Sequence, residues 1–463
     1  MRNPTERNEI PPRRSVARAP GRLDVMGGIG DYSGSLVLQL PLAVSTRAAV
    51  SLSDDSTYVV VSEVQGRDQP RREFSMPAAE GFEVLSSYES GHSYFSGRSA
   101  DHWASYVLGC LTALRVEEGL SLPRGLSIQI ASDVPEGKGV SSSAALEVSV
   151  MGALVALLRV DIPPERIAHL CQVVENRVAG APCGIMDQMT AACGRKDHLL
   201  SLLCRPAELQ GHIALPPGIA VWGIDSGIRH SVGGSDYRTV RTAASMGYRI
   251  IADREGLPVE RAGDGHVRVN DDRFGGYLSA VGPTRLNEHR PHLPDRMRGS
   301  EFLEAFEGIS DDTVSVDPDL TYPVRAATVH PILEHERNER FASMLKLDLT
   351  EKTLAMMGEL MYLSHAGYAA CGLGSPGTDR IVEMVKDSGY HNGLYGARIT
   401  GGGSGGSVAV LASTDAADAV RRIAGQYTRE SGLPVMVFEG SSNGLTVSRL
   451  LTKPQDEEEH EDD

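Results

Sequence analysis

The segment PCGIMDQ, residues 182–188, carries more information than any other part of this chain. It places the carboxylate of Asp187 three residues after Gly184, in surroundings that are otherwise largely apolar. A single aspartate of this kind is usually a helix cap or one half of a buried ion pair. It can also accept a proton from a substrate hydroxyl, if a cation holds it ionised and a nearby glycine leaves room for the substrate.

A glycine- and serine-rich segment, PEGKGVSSSA, occupies residues 135–144 and opens a long apolar stretch. That stretch, residues 143–158, is rich in Ala, Leu, Val and Met, so we predict a buried helix. A loop before a helix offers free backbone N–H groups and the positive end of the helix dipole, and glycines let it curl around phosphate oxygens. The segment is not a Walker A motif. We expect it to bind the phosphates of a nucleotide through Gly137, Gly139, Ser141, Ser142 and Ser143.

Two further segments are read together with PCGIMDQ and PEGKGVSSSA. They are APGR at residues 19–22 and TGGGSGG at residues 400–406. Arg22 is the natural partner for Asp187, because a guanidinium keeps a carboxylate ionised and can also face the transferred phosphate. Phosphoryl transfer to a hydroxyl depends mostly on positioning and charge stabilisation, with an acceptor for the proton. Together the segments predict a phosphotransferase with Asp187 as the base.

From about residue 16 to 450 the chain resembles the galactokinase branch of the GHMP kinases. The resemblance includes the segments above and HWASYV (102–107), SGIRHS (226–231), SDY (235–237) and HERNER (335–340). It implies an α+β fold with a ribosomal-S5-like N-terminal lobe, a ferredoxin-like C-terminal lobe and an active site between them. We therefore expect domains at residues 15–215 and 216–451, with polar or acidic tails at residues 1–14 and 452–463.

The resemblance also implies roles for single residues. By position, Asp187 matches the base of the family and Arg22 matches the arginine beside the transferred phosphate. ATP and Mg²⁺ are the implied cofactors, and magnesium requires oxygen ligands. The other matched positions are Ser143 and Glu175 for the metal, Asp31, Gly184 and Tyr237 for the sugar, and Trp103 for the adenine pocket.

The sugar segment departs from the family pattern. Galactokinases carry GEHTDY where this chain has GGIGDY at residues 27–32, so Gly28 and Ile29 replace the Glu and His while Asp31 is kept. In galactokinases the two replaced residues sit near the upper rim of the sugar, and the Glu is associated with the 6-hydroxyl. A buried hydroxyl left without a partner costs about 1–3 kcal/mol. L-arabinopyranose has the ring stereochemistry of D-galactopyranose without its CH2OH group, so Gly28 and Ile29 predict L-arabinose as the substrate.

Five segments strengthen that prediction, because they resemble the kinase portion of the plant L-arabinokinases: residues 26–35, 233–237, 358–362, 370–375 and 401–406. We predict an anomeric sugar kinase that converts L-arabinose and ATP to L-arabinose 1-phosphate and ADP. One alternative is a galactokinase with a remodelled sugar rim. A galacturonate kinase is a weaker alternative. The carboxylate of that sugar would need a cation near the rim, and Gly28 and Ile29 supply none. An alternative of another class is a sugar and nucleotide sensor without catalysis, for which loss of Asp187, Arg22 or the serine-rich loop would be the expected mark.

The composition is typical of an enzyme that acts on small molecules. The 463 residues carry a net charge of −16, which argues against nucleic acid or an anionic membrane as a partner. The six cysteines form no CxxC pair and have no histidines at zinc spacing, so reduced thiols are expected. The sequence has no run of about 18 apolar residues and no apolar signal core at its start, which predicts a cytoplasmic protein. The expected partners are the sugar and ATP, and a monomer is expected.

The remaining elements are predicted from periodicity and breakers. Residues 66–100 are polar and rich in Gly and Ser, which predicts loops with short strands. A strand is expected to begin at Leu126 and end at residues 133–135. Helices are expected at residues 164–178, 235–252, 351–371, 378–387 and 415–432, and strands near residues 199–203, 219–223, 407–411 and 435–439.

Overall fold

The structure, a computed structural model, describes residues 14–64, 71–121, 123–229 and 235–450. Its strands are β1 (Arg14–Met26), β2 (Leu36–Leu52), β3 (Thr57–Val64), β4 (Arg72–Pro77), β5 (Leu126–Ser132), β6 (His198–Leu203), β7 (Glu208–Ala214), β8 (Ile219–Asp225), β9 (Val259–Gly263), β10 (His266–Val269), β11 (Met297–Arg298), β12 (Thr321–Tyr322), β13 (Leu394–Ile399), β14 (Ser407–Ser413), β15 (Val437–Phe438) and β16 (Thr446–Leu450).

The α-helices are α1 (Ala78–Val84), α2 (Tyr88–Ser96), α3 (Ser105–Glu118), α4 (Ser142–Leu158), α5 (Pro164–Val174), α6 (Met186–Cys193), α7 (Ser235–Arg254), α8 (Gly282–His289), α9 (Gly299–Phe306), α10 (Val324–Met344), α11 (Glu351–Cys371), α12 (Pro376–Ser388) and α13 (Ala417–Ser431). A 3₁₀ helix spans Gly28–Ser33, and a π-helical turn, Glu175–Ala179, continues α5. None of the helices in the described part of the chain is both long and apolar enough to span a membrane.

The larger sheet is organised around the long strand β2. Strands β16, β1, β2, β5, β3 and β4 lie side by side in that order, and only the β3–β5 pair is parallel. Strand β2 pairs with β1 on one side, and on the other side with β6 through its first residues and β5 through its last. Helix α4 packs against β1 and β2, which places the start of this helix beside the middle of β1.

The smaller sheet has the order β13-β14-β8-β15, and every neighbouring pair in it is antiparallel. Helices α11 and α12 pack against β13. The predicted α+β class is confirmed, because helices cover sheets that are mostly antiparallel. The predicted division at residues 215 and 216 stays a prediction. Strand β16, near the end of the described chain, returns to the larger sheet beside β1.

Most of the predicted elements are confirmed. The apolar stretch after the serine-rich loop is α4, and 13 of its 17 residues are buried, as its composition predicted. The cysteines are free in the structure, as expected. For residues 66–100, of which 66–70 lie outside the described residues, the predicted short strand is present as β4, but residues 78–84 and 88–96 form α1 and α2 and not the predicted loops. The predicted tails lie outside the described residues, apart from Arg14, which begins β1.

A buried ion pair connects the two sheets. Asp24 on β1 and Arg398 on β13 are both fully buried, and the Nη1 of Arg398 lies 2.7 Å from Oδ2 of Asp24. Gln39 donates to Oδ1 of Asp24 at 2.6 Å, and the backbone N–H of Asp24 donates to the Thr400 hydroxyl at 2.8 Å. Removing one partner of such a pair leaves an uncompensated charge in the core, so this contact makes the relative position of the sheets sensitive to single substitutions.

We predict that Asp24→Ala lowers the free energy of unfolding by about 3–5 kcal/mol, because it leaves Arg398 buried without its carboxylate. Glu73→Ala is the matched control, since it removes one partner of the exposed Arg71–Glu73 pair. That change should cost less than about 1 kcal/mol. Urea unfolding followed by circular dichroism measures both values, and equal losses would contradict the importance assigned to the buried pair.

Candidate active site

The serine-rich loop lies between two cavities. It runs from the end of β5 to the start of α4, and Gly137, Ser142 and Ser143 line both cavities. One cavity, of about 110 Å³, contains Asp187 and will be called the catalytic cavity. The other, of about 450 Å³, contains Trp103 and will be called the aromatic cavity. The free N–H groups at the start of α4 therefore lie at the junction of the two.

Arg22 and Asp187 meet in the catalytic cavity as the sequence predicted. Arg22 lies on β1 and Asp187 in the first turn of α6. The Nε and Nη2 atoms of Arg22 donate to the two carboxylate oxygens of Asp187, each at 2.8 Å. The side chain of Arg22 is 4% exposed and that of Asp187 is 21% exposed, so the arginine is buried while the carboxylate still reaches the cavity. Such a bidentate pair fixes the carboxylate in one orientation.

The loop is bonded to the same pair. The Nη1 of Arg22 donates to the carbonyl of Gly139 at 2.7 Å, and the backbone N–H of Arg22 donates to the carbonyl of Val140 at 3.1 Å. Ser141, in a left-handed conformation with φ of 60°, donates its hydroxyl to Oδ2 of Asp187. Left-handed φ is uncommon for residues other than glycine, and strain of this kind clusters at functional sites. The Ser141 hydroxyl thus holds Asp187 as well as lining the cavity.

Asp31 lines the same cavity with Gly184 beside it. A Cβ on Gly184 would lie 1.7 Å from Oδ2 of Asp31, so only glycine fits there. Oδ1 of Asp31 accepts the backbone N–H of Tyr32 at 2.8 Å. Burial, and then the charge of Asp187, raise the pKa of Asp31 to about 7. Asp31 therefore offers a buried carboxyl group that can accept hydrogen bonds from the hydroxyls of a substrate.

Tyr237 on α7 also lines the catalytic cavity. One helical turn later lies Arg241, to which the sequence analysis assigned no role. Arg241 is buried and donates to both carboxylate oxygens of Asp311, at 2.7 and 3.1 Å. Its guanidinium lies 5.4 Å from the centre of the Tyr32 ring, and its charge opposes the rise in the pKa of Asp31. The spacing of four residues from Tyr237 places both side chains on one face of the helix, and this was the available signal.

Glu175 and Ser143 lie together on the other side of Asp187. Burial and Asp187 raise the pKa of Glu175 to about 7, while hydrogen bonds from Ser143, Cys183 and Gln188 oppose the rise. Nε2 of Gln188 donates to Oε2 of Glu175 at 2.6 Å and also contacts Glu147, whose Oε1 atom has no hydrogen-bond partner among the residues that the structure describes. Gln188 directly follows Asp187 in the sequence, yet sequence reasoning assigned no role to it or to Glu147.

This arrangement fits a magnesium ion. Buried carboxyl groups with raised pKa values gain from a cation, and Mg²⁺ in proteins usually takes one or two protein oxygens together with substrate phosphates. No group of three or more His, Cys, Asp or Glu side chains suited to a metal occurs among the residues that the structure describes. A site of Ser143 and Glu175 therefore requires phosphate oxygens to complete the coordination.

Gly28 and Ile29, predicted from the sequence to lie at the rim of the sugar, are not among the residues that line the catalytic cavity. Ile29 is 1% exposed and packs in a core cluster with residues of α7, α10 and α11. Gly28 faces the ring of Tyr368 on α11. The large side chain of Tyr368 fills the space beside Gly28, and Ile29 packs in the same layer, so the role of these two residues at the sugar stays a prediction.

Trp103 lies in the aromatic cavity, together with His102 and Tyr106. Arg72 and Glu136 form a bidentate ion pair among the lining residues, at 3.0 and 3.1 Å. An aromatic-lined cavity next to a phosphate loop is suited to a flat heteroaromatic ring. The predicted position of Trp103 is therefore compatible with a role beside an adenine base.

We predict that Asp31→Asn stabilises the protein more at pH 8 than at pH 5. A folded-state pKa near 7, above the usual 3.8, means that the folded state binds more protons than the unfolded state between these values. The stability contributed by Asp31 is therefore present at low pH and lost as pH rises through about 7. Melting temperatures from pH 5 to 8 should show a gain that grows by a few degrees. The exposed Asp133→Asn is the control, and an Asp31→Asn gain independent of pH would contradict the raised pKa.

Comparisons with known proteins bear on the family and the fold of this chain. The family model described as GHMP kinases N terminal domain matches residues 105–195, and the model described as GHMP kinases C terminal matches residues 345–429. The L-arabinokinase of Arabidopsis thaliana is 39% identical over 474 residues, covering 93% of this chain and 46% of that protein. The chain thus spans about half the length of this curated relative.

Solved structures show the same fold. A galactokinase of Lactococcus lactis complexed with galactose has a TM-score of 0.67 at 20% identity, covering 94% of this chain and 95% of that chain. The mevalonate kinase of Methanococcus jannaschii has a TM-score of 0.55 at 12% identity, covering 92% of this chain and 98% of that one. The chain thus carries both the N-terminal and the C-terminal domain of the GHMP kinases.

Proposed function

We propose that the protein is an ATP-dependent sugar kinase that phosphorylates the anomeric hydroxyl of L-arabinose, giving L-arabinose 1-phosphate and ADP. One observation carries the proposal: the carboxylate of Asp187, held by Arg22, shares a cavity with a phosphate-binding loop and with the buried carboxyl group of Asp31. This brings together an acceptor for a proton, a cation for phosphate charge and a group that can bind sugar hydroxyls.

ATP would extend from one cavity to the other. Its adenine would lie in the aromatic cavity beside Trp103, and its phosphates would follow the backbone of Gly137 and Gly139 to the start of α4. Ser142 and Ser143 face both cavities and so can contact the phosphate chain between its ends. Ser143 and Glu175 would hold Mg²⁺, which supplies neutralisation of the phosphate charge when it is bound.

In the transfer step, the anomeric oxygen of the sugar forms a bond to the γ-phosphorus as the bond from phosphorus to the β–γ bridging oxygen breaks. The proton of the hydroxyl passes to Asp187, and ADP leaves with the bridging oxygen. Arg22 stabilises the charge on the transferred group while it keeps the carboxylate oriented. Because this reaction requires little covalent chemistry from the protein, positioning supplies most of the catalysis.

The choice of L-arabinose rests on two observations. The sugar segment lacks the Glu and His of galactokinases, and a relative 39% identical to this chain is an L-arabinokinase. Asp31, Gly184 and Tyr237 remain available to bind the ring hydroxyls that the two sugars share. D-galactose is the second candidate, because the protein shares its fold with a galactokinase that was solved with galactose.

We predict that Asp187→Asn lowers kcat by about 10²–10⁴-fold, because the amide cannot accept the proton. Binding of ATP should persist, since the phosphate loop is unchanged, and the ATP-induced shift of the melting temperature measures it. Asp133→Asn, which alters an exposed aspartate, should leave kcat unchanged. Turnover by Asp187→Asn within a few-fold of the parent protein would remove Asp187 from the mechanism.

We predict that kcat/KM for L-arabinose exceeds that for D-galactose by about 10-fold or more, the usual scale of discrimination for one small substituent. A coupled assay of ADP release with Mg²⁺ and ATP measures both, with D-galacturonate as a further test substrate. A preference for D-galactose would keep the kinase mechanism and reject the sugar assignment. Absence of turnover with every sugar would instead favour the sensor.

A further inference from the structure

The space beside Gly28 is occupied by a residue that lies 340 positions later in the chain. Gly28 has a φ of +52°, and a Cβ built on it would lie 1.7 Å from the hydroxyl oxygen of Tyr368 and 2.5 Å from its Cζ atom. Gly28 begins the 3₁₀ helix that also carries Asp31, a lining residue of the catalytic cavity. The end of the Tyr368 ring thus takes the place of a side chain in the sugar segment.

Tyr368 also holds the loop of residues 400–406. Its hydroxyl donates to the carbonyl of Gly401 at 2.7 Å, and a Cβ on Gly403 would lie 3.2 Å from its Cδ1 atom. Gly402, between these two contacts, lines the catalytic cavity. A Cβ on Gly401 would lie 3.5 Å from Nη2 of Arg22, so the loop that Tyr368 holds also borders the arginine of the proposed transfer step.

The ring has no freedom to move aside. Tyr368 is fully buried, the Arg398 guanidinium lies 5.1 Å from its ring centre, and the His330 ring meets it edge to face at 5.4 Å. Arg398 is in turn fixed by Asp24, two residues after Arg22 on β1. A rigid aromatic ring therefore joins the sugar segment, the glycine loop and the contact between the sheets.

We propose that Tyr368 is the positioning residue that sets sugar selectivity, by closing the layer beside Gly28 so that the cavity has no room for an additional hydroxymethyl group. The inference rests on the proposed function. It assigns the selectivity to Tyr368, which fills the space beside residue 28, and not only to the missing side chain at residue 28. It also predicts that a glutamate at residue 28 alone will not restore the galactokinase pattern, because its Cβ would overlap the Tyr368 hydroxyl.

The test compares Tyr368→Leu with Tyr368→Phe. Leucine lacks the ring atoms that reach Gly28, so it opens the layer while keeping an apolar core side chain. Phenylalanine keeps Cζ beside Gly28 and loses only the donor to Gly401. Tyr368→Leu should raise the ratio of kcat/KM for D-galactose to that for L-arabinose by about 10-fold or more. Tyr368→Phe should lower turnover of both sugars and leave the ratio within about threefold of the parent.

The variant Gly28→Ala provides an independent test of the contact with Tyr368. It should lower the activity towards both sugars while Tyr368 is present, and Gly28→Ala combined with Tyr368→Leu should recover much of the loss. Gly119→Ala is the matched control, because Gly119 also has a positive φ, +66°, but has open space around its Cβ position. Any loss of activity that the left-handed φ alone causes will also appear in this control.

Three results would overturn the proposal. These are an unchanged sugar ratio in folded Tyr368→Leu, parental activity in Gly28→Ala, or no recovery in the double variant. If Tyr368→Leu fails to fold, Tyr368→Met carries the same comparison with a more flexible side chain. If the parent protein phosphorylates no sugar, the proposed function fails by itself. The steric contact between residue 28 and residue 368 is then still measured, by comparing the melting temperatures of the single and double variants.

Discussion

The bidentate pair of Arg22 and Asp187 is the contact on which the site depends. A guanidinium that is 4% exposed requires a carboxylate, and Asp187 supplies it from a helix more than 160 residues away in sequence. The remaining donors of Arg22 point to the phosphate loop, through the carbonyl of Gly139. Strand β1, helix α6 and the loop are thus held at one point, which is where phosphoryl transfer would need its charges fixed.

The carboxyl groups of the site are suited to a bound substrate or cation, and they destabilise the free protein. Asp31 and Glu175 both have pKa values raised to about 7, chiefly by burial. Asp187 lies close enough to raise both, so three carboxyl groups share one small region. Carboxyl groups crowded in this way are costly until a cation or hydrogen-bond donors arrive, and this is typical of functional sites. The buried pair of Asp24 and Arg398 lies outside this group and connects β1, which carries Arg22, to β13.

The sequence predicted the parts of the molecule whose chemistry is local. Glycines and serines before an apolar helix indicated the phosphate loop, and the match of short segments brought Arg22 and Asp187 together in advance. Helices α1 and α2 were missed because they are short and each contains a glycine, so burial of Val84 and Phe95 in the core outweighs weak propensity. The contact of Gly28 with Tyr368 was not predicted for a similar reason. A sequence shows that a side chain is missing, but only the fold shows that Tyr368 occupies its place.

The most direct test of the central claim is a ³¹P NMR spectrum of the purified protein with Mg²⁺, ATP and equal amounts of L-arabinose and D-galactose. We expect a growing resonance that coincides with authentic L-arabinose 1-phosphate and splits as a phosphate on an anomeric carbon does, with ADP formed in equal amount. Inorganic phosphate as the only product besides ADP, or a phosphate on any other hydroxyl, would contradict the anomeric kinase. A dominant D-galactose 1-phosphate signal would contradict the sugar assignment.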